Sequence, residues 1–195
     1  MAAPTKINFK IYQGATFKEV VRWESENKVY IPITGISKAA PMVITTSTHT
    51  MPEGWRFKVS NVLGMKEVNS TEVYNVASSV TGTTITVNET NSLAYTDYVS
   101  GGVVQYNEPV SLIGVTAKMQ IRPTIISSTV LEELTTENGK IVIDTANSTI
   151  TLLIPYADTA EFTFSTGVYS MEILVAGEMT PFIYGNITVE KEITR

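Results

Sequence analysis

His49 is the only histidine in the chain, so any role for an imidazole in catalysis or zinc binding falls on this one residue. A catalytic triad places a histidine between a nucleophile and a carboxylate, and zinc sites usually combine several nitrogen or sulfur ligands. The sequence contains no cysteine and no second histidine to complete such a set. Because Pro52 follows closely, we expect His49 to be a turn residue.

Paired carboxylates are the second route to chemistry, because glycosidases need two carboxyl groups a few ångström apart. Aspartate occurs only at Asp97, Asp144 and Asp158, and the glutamates are dispersed. Alanine substitutions at His49, Asp144 and Glu161 would be the first probes if an activity were seen. The sequence itself predicts no enzyme.

Metal and cofactor motifs are missing as well. The acidic spacing of a calcium loop is absent, although a site assembled from distant loops stays open. The Ser100–Gly102 segment precedes an expected strand rather than a helix, which is not the context of a phosphate-binding loop. We therefore predict no metal site and no cofactor.

Aromatic residues offer a binding surface instead of a reaction centre. Tyr95, Tyr98 and Tyr106 are candidates for contacts with a sugar or a protein, because tyrosine buries much area with few rotatable bonds. Trp55 lies on an alternating strand and is more simply a core residue.

The charge of the chain argues against nucleic acid as a partner. Its 195 residues include 14 basic and 19 acidic side chains, for a net charge of −5. Nucleic-acid binding usually needs basic residues clustered on one face, and here they are scattered. The N-terminus lacks the apolar core of a signal peptide, and no run is long enough to span a membrane. We expect neither export nor a membrane partner.

Hydrophobic residues alternate with polar ones almost everywhere, which is the pattern of half-buried β-strands. Turn residues separate these runs at intervals of roughly 8 to 12 residues, as in an antiparallel sandwich or barrel. Clear examples of the alternation are Ile7–Ile11, Phe17–Trp23, Ala117–Arg122, Ile150–Ile154, Tyr169–Val175 and Ile183–Val189. Helix is predicted only at Tyr156–Phe162, after Pro155, with a further helical turn at Val130–Leu134.

The middle of the chain differs from the rest in its pattern, which predicts short strands joined by polar turns. Two segments of similar sequence flank it, Ile31–Ile36 on one side and Pro109–Val115 on the other. A domain inserted in a loop needs its two ends close together, which a strand pair would provide. We predict a host domain of residues 1–37 and 109–195 with an inserted module of residues 38–108.

Several segments on either side of the middle module occur in an order that is also found in a known family. They are Tyr12-Gln13-Gly14-Ala15-Thr16-Phe17, Leu112-Ile113-Gly114-Val115-Thr116-Ala117-Lys118-Met119-Gln120-Ile121-Arg122, Leu134-Thr135-Thr136-Glu137-Asn138-Gly139-Lys140-Ile141, Ile150-Thr151-Leu152-Leu153-Ile154-Pro155, Gly167-Val168-Tyr169-Ser170-Met171-Glu172-Ile173 and Gly185-Asn186-Ile187-Thr188-Val189. Over about 120 residues this order resembles small immunoglobulin-like proteins encoded among bacteriophage tail and particle genes. In that pattern a strand ending near Trp23 is followed by a loop.

The middle segment resembles a second module. Its matching residues are Pro41-Met42-Val43-Ile44-Thr45, His49, Gly54–Val59, Val62-Leu63-Gly64-Met65-Lys66-Glu67-Val68-Asn69 and Tyr95-Thr96-Asp97-Tyr98-Val99-Ser100-Gly101-Gly102. They are similar to the small β-barrel known as the FCCH domain of ubiquitin-activating enzymes, with His49-Thr50-Met51-Pro52 in place of the usual His-Gly-Leu. This resemblance implies shape only.

Together the two resemblances imply an all-β protein, an immunoglobulin-like antiparallel β-sandwich with a small β-barrel inserted in a loop. They also imply a virion structural protein of the tail, baseplate or neck, assembled in the host cytoplasm. Its expected partners are other virion proteins, and it is expected to be a homo-oligomer in a symmetric assembly. Capsid decoration and a host-receptor or glycan-binding module remain alternatives. The termini, Met1–Lys6 and Glu190–Arg195, are expected docking elements because unpaired backbone invites strand addition.

Overall fold

The computed structural model describes residues 4–192, and nearly all of its regular structure is β. The all-β prediction is therefore confirmed. The chain forms two compact units, one that joins the segment up to Arg22 to the segment from Ser111 onward, and one that spans Trp23–Val110. The terminal segments predicted to dock lie partly outside the described residues.

The regular elements follow one another as a long series of strands with one short helix. In chain order they are β1 (Thr5–Lys6), β2 (Phe9–Tyr12), β3 (Phe17–Arg22), β4 (Glu24–Ile36), β5 (Met42–Thr46), β6 (Arg56–Leu63), a 3-10 turn (Lys66–Val68), β7 (Ser70–Val76), β8 (Ser79–Val80), β9 (Thr84–Val87), β10 (Ser100–Pro109), β11 (Thr116–Arg122), β12 (Glu132–Thr135), β13 (Ile141–Asp144), β14 (Thr149–Ile154), α1 (Tyr156–Ala160), β15 (Thr166–Val175) and β16 (Glu178–Glu190).

The first unit contains a six-stranded sheet in the order β1-β16-β15-β11-β12, with β2 also paired to β16. The pairs β16–β15, β15–β11 and β11–β12 are antiparallel, whereas β1 and β2 run parallel to β16. Gly185 lets this parallel pair approach closely, since a Cβ there would lie 1.8 Å from the Ile7 carbonyl oxygen. The Tyr169 hydroxyl donates to the same oxygen at 2.8 Å.

A second sheet of the same unit, β13-β14-β3, faces the first one and completes a sandwich. The Phe9 ring bridges the two layers, with its centroid 5.6 Å from that of Phe17 on β3 and 5.2 Å from that of Tyr169 on β15. Period-two alternation places one row of side chains from each strand in the core, as the sequence predicts. The fully buried members include Ile11, Met119, Ile121, Leu134, Ile150, Leu152, Ile154, Met171 and Ile173.

The predicted helical turn at Val130–Leu134 is wrong, because Glu132–Thr135 forms β12 at the edge of the six-stranded sheet. Its register with β11 buries Leu134 opposite Met119. An ion-paired group supports this edge: the Lys140 ammonium lies 2.6 Å from carboxylate oxygens of both Glu132 and Asp158. Burial alone lowers the pKa of Lys140, but hydrogen bonds to the two carboxylates outweigh it and raise the pKa.

The second unit is a seven-stranded sheet in the order β7-β6-β10-β4-β5-β9-β8, curled as a half-barrel around its own core. That core is formed by alternating residues of the strands together with loop residues, among them Ile31, Ile33, Met42, Ile44, Trp55, Phe57, Val59, Val62, Met65, Ile85 and Val104. The Trp55 indole donates to the Asn107 carbonyl oxygen at 2.8 Å, which satisfies its one polar atom. Trp55 is thus a core residue.

The first boundary between the units lies after Arg22 rather than at residue 37. The expected loop after Trp23 is instead the thirteen-residue strand β4, which pairs with both β10 and β5. These two neighbours hold β4 within the second unit. The chain enters and leaves this unit side by side, since the Val110 amide donates to the Trp23 carbonyl oxygen at 2.9 Å.

We predict that Leu152→Asp prevents stable folding of the first unit. Leu152 is fully buried in β14, and an unpaired carboxylate placed there costs several kcal/mol. The matched control is Thr151→Asp, whose side chain points to the opposite face of the same strand and should change the free energy of unfolding by less than about 1 kcal/mol. Urea unfolding measures both. A larger loss for Thr151→Asp than for Leu152→Asp would show that β14 has the opposite orientation.

We also predict that residues 23–110 can be removed and Arg22 joined to Ser111 by a short glycine linker without loss of the first unit. Because the two ends of the excised segment are hydrogen-bonded neighbours, closing the gap requires little backbone movement. Removal of residues 38–108 is the comparison, since it leaves most of β4 without β10 and β5. Circular dichroism and thermal melting should show a cooperative fold for the first deletion. The second deletion should give a less soluble product, because Ile31 and Ile33 of β4 lose the strands that bury them. Two unfolded products would contradict the division.

Candidate docking surfaces

His49 lies in the irregular segment between β5 and β6. Its Nδ1 accepts a hydrogen bond from the Met51 amide at 3.2 Å, and its own amide donates to the Gly82 carbonyl oxygen at 2.9 Å. Burial lowers the pKa of the imidazole, so the ring is neutral at pH 7. The Nδ1 atom of the ring is thus bonded to the local backbone.

The aspartates singled out in the sequence are engaged at separate places. Asp144 accepts hydrogen bonds from the Asn147 side chain at 2.9 Å and from the Ala146 and Asn147 amides, which together lower the pKa of its carboxyl group. Asp97 pairs with Lys38 at 3.0 Å, and Asp158 with Lys140. Within residues 4–192, no three metal-ligating side chains come together.

The three candidate tyrosines do not form a common exposed surface. Tyr106 is only 4% exposed and belongs to the core of the second unit, because its position on β10 points inward, so it cannot serve as a surface contact. Tyr95 and Tyr98 are partly buried against that core. The Tyr98 hydroxyl lies 3.2 Å from the Ile33 carbonyl oxygen and 3.0 Å from that of Gly101. The rings of Tyr95 and Tyr98 therefore support a loop and do not form an exposed surface for a ligand.

That loop exposes an aliphatic side chain which the sequence analysis did not single out. Val99 is 70% exposed, and its amide donates to the Leu63 carbonyl oxygen at 2.9 Å. Thr96 fastens the loop from the other side: its amide and hydroxyl donate to the Glu67 carboxylate at 2.8 and 2.9 Å. The backbone hydrogen bond from Thr96 is the main reason why the pKa of Glu67 is lowered.

The first unit carries a groove on the outward face of its six-stranded sheet, with a volume of about 620 Å³. Alternation along β11 sends Met119 and Ile121 inward and leaves Lys118, Gln120 and Arg122 facing out. The register continues this outward face across the sheet. One row runs Gln120, Ser170, Tyr184, Lys6, and a second runs Arg122, Val168, Asn186.

One wall of the groove is the loop between β11 and β12. Arg122 fastens this loop, since its Nη1 donates to the Ser127 carbonyl oxygen at 2.9 Å and its Nη2 to Gln120 Oε1 at 2.6 Å. At the tip of the loop, Ile125 and Ile126 are 86% and 96% exposed. The Ile125 side chain lines the groove. The wall is therefore a tethered loop that displays two large aliphatic side chains to solvent.

Among the charged residues that line the groove, basic side chains predominate. Lys6, Lys118 and Arg122 line it together with one acid, Glu172. At the end of the row beyond Gln120, Glu133 on β12 accepts from Lys118 at 2.9 Å and from the Gln120 amide. The Lys118 ammonium is the main reason that the pKa of Glu133 is lowered, and the Gln120 amide adds to the effect.

The sequence predicts the strand of this site but not the exposed loop beside it. The alternation over Ala117–Arg122 predicts a strand with one polar face, and the strand is there. Ile125 and Ile126 were missed because a loop has no periodicity that assigns a side chain to core or solvent. The available signal was their context, two adjacent β-branched apolar residues after Pro123 in a run otherwise made of serine and threonine.

We predict that Glu133→Gln flattens the loss of stability in acid. The folded state holds the pKa of Glu133 below its usual 4.5, so the carboxylate contributes stability above pH 4.5 that disappears as the pH falls through the lowered value. Urea unfolding between about pH 3 and pH 6 would measure the slope. Lys118→Gln removes the same ion pair from the other side and should flatten the slope similarly. Slopes equal to that of the unaltered chain would contradict the assignment.

Neither a scan against protein-family models nor a search of curated proteins gives a match for this chain. Among the described residues, no helix has the length and apolar character needed to cross a membrane.

Proposed function

We propose that this chain is a non-enzymatic structural protein of a bacteriophage particle, a tail, baseplate or neck component that docks other virion subunits or fibres through protein–protein contacts. The observation that carries the proposal is the exposed pair Ile125–Ile126 at the rim of the groove. Adjacent large aliphatic side chains exposed on a tethered loop are typical of a surface that a partner covers.

The energetics favour docking at this loop. Burial of one isoleucine side chain contributes about 1.5–3 kcal/mol, so the pair supplies a large part of an ordinary protein–protein affinity. Arg122 already holds the loop by its hydrogen bond to the Ser127 carbonyl oxygen. Less conformational entropy is then lost on binding, because the loop is ordered beforehand.

Open sheet edges supply further contacts in the proposed assembly. Within the described residues, β12 pairs only with β11, and β3 only with β14. An unpaired strand edge can receive a strand of a neighbouring subunit. The exposed charges of Lys18 and Glu19 on β3 oppose unselective pairing at that edge. On β12 the Asn138 side chain already bonds the Thr135 amide and the Glu133 carbonyl oxygen, so only part of that edge is open to a partner.

The assignment to a phage particle is supported by the order of the outer sequence segments and by the all-β fold. In this proposal the partners are other virion proteins, copies of the chain form a symmetric homo-oligomer, and the location is the virion. Capsid decoration would use the same contacts at another place in the particle. A glycan-binding module draws little support from the tyrosines, since Tyr106 is in the core and the rings of Tyr95 and Tyr98 are partly buried.

We predict that Ile125→Ser combined with Ile126→Ser removes the chain from assembled particles. Loss of both aliphatic side chains should weaken docking by about a hundredfold or more while leaving the melting temperature unchanged, because neither residue contributes to the core. Ile113→Ser is the matched control, since Ile113 is 79% exposed at a turn of the same unit.

The measurement is mass spectrometry of purified particles made by a phage whose own copy of this gene is deleted and supplied in trans. The unaltered chain and the Ile113→Ser variant should be incorporated, and the double variant should be depleted. Separate analysis of tails and heads distinguishes a tail component from a capsid decoration protein. If the unaltered chain is missing from particles, the proposed function is wrong.

A further inference from the structure

We propose that the groove of the first unit binds an extended, acidic segment of a partner protein. In this arrangement the partner's carboxylates contact Lys6, Lys118 and Arg122, and one of its aliphatic side chains packs on Ile125. The inference rests on the proposed docking function and specifies the chemistry of the partner at one surface.

Charge complementarity is the first argument. The chain as a whole carries a net charge of −5, yet the lining of the groove combines three of its 14 basic residues with one acid. The local surplus of positive charge lies in a concavity, where surrounding low-dielectric protein strengthens the field. An acidic segment is drawn to this groove, whereas the remainder of the acidic surface repels it.

Unused hydrogen-bond donors are the second argument. A guanidinium has five N–H donors, and Arg122 commits two of them to Ser127 and Gln120. An ammonium has three, and Lys118 commits one to Glu133. Lys6 forms no ion pair within residues 4–192. Donors of all three cations thus remain for carboxylate oxygens of a ligand, while their side chains already line the groove.

The register sets the size of the ligand. Gln120, Ser170, Tyr184 and Lys6 stand side by side on four neighbouring strands, a distance of roughly 14 Å at 4.8 Å between strands. An extended chain advances roughly 3.3 Å per residue, so about four or five residues cross the groove. Alternate side chains of that segment point to the sheet. Carboxylates at both ends of the segment then reach Lys6 on one side and Lys118 or Arg122 on the other.

A peptide fits this surface better than a nucleic acid does. Phosphates follow one another continuously along a strand and call for a longer line of cations, whereas this groove offers three cations and one acid, Glu172. The exposed Ile125 provides a contact for an aliphatic side chain, which a sugar–phosphate backbone does not have. Tyr184, in the middle of the row, adds a partly exposed ring that packs on a small apolar residue.

The test uses the full chain and a fluorescein-labelled peptide of alternating glutamate and threonine with one isoleucine near its end. Fluorescence anisotropy should show binding that weakens as salt is added. A peptide with lysine in place of every glutamate should not bind. A thymidine oligonucleotide of similar length is the third probe, and size-exclusion chromatography reports self-association.

Variants that reverse or remove a positive charge locate the contact. Lys6→Glu should lower the affinity for the acidic peptide about tenfold, and Lys118→Gln should lower it in the same direction. Lys18→Glu is the matched control, because Lys18 is an exposed lysine on β3 of the other sheet and should leave the affinity unchanged. Neither Lys6→Glu nor Lys18→Glu alters a buried residue, so both variants should melt like the unaltered chain.

Four results would overturn the inference: no binding of the acidic peptide, equal binding of the lysine peptide, tighter binding of the oligonucleotide, or self-association that occupies the groove. None of them affects incorporation of the chain into particles, which is measured separately. A chain that enters particles but ignores the peptide would leave the proposed function standing with a different occupant. A chain that binds the peptide but is missing from particles would support the acidic ligand of the groove and contradict the proposed function.

Discussion

The first unit depends on the pairing of the beginning of the chain with its end. β1 and β2 both run parallel to β16, and the Ile7 carbonyl oxygen lies so close to Gly185 that no other residue fits there without displacement of the backbone. The Tyr169 hydroxyl holds the same oxygen from the core side. This closure brings Lys6 beside Tyr184 and so completes the groove, whose other cations come from β11. The surface proposed to dock a partner exists only when both ends of the chain are in place.

The polar residues that suggest chemistry in the sequence are used for structure. His49 accepts a hydrogen bond from the Met51 amide, Asp144 organises a hairpin turn, and Lys140 joins Glu132 to Asp158 across the edge of a sheet. A buried or half-buried polar group needs a partner. The bonds that these residues form are to local backbone groups or to opposite charges, although His49 Nε2 is buried without a hydrogen bond. What remains for partners is a groove with unsatisfied donors and two loops with exposed aliphatic side chains.

The fold was largely accessible from the sequence because period-two alternation is a local property. The strands from Ala117 to Arg122 and from Ile150 to Ile154 were predicted on this basis and are present. The errors arose where partners decide the conformation. The start of β4, expected as a loop after Trp23, is a strand because it pairs with β10, and β12, expected as a helical turn, is a strand because it pairs with β11. Tyr106 was misplaced because alternation does not say which of two faces is the inner one.

The hydrogen bond between Trp23 and Val110 has a consequence for biosynthesis. The second unit is one uninterrupted stretch of chain with its own core, so it can fold as soon as residue 110 has left the ribosome. The first unit must wait for β16, which follows all its other strands in chain order. During that interval the completed second unit holds the two halves of the unfinished sandwich at neighbouring points, and this shortens the search by which β3 finds β14.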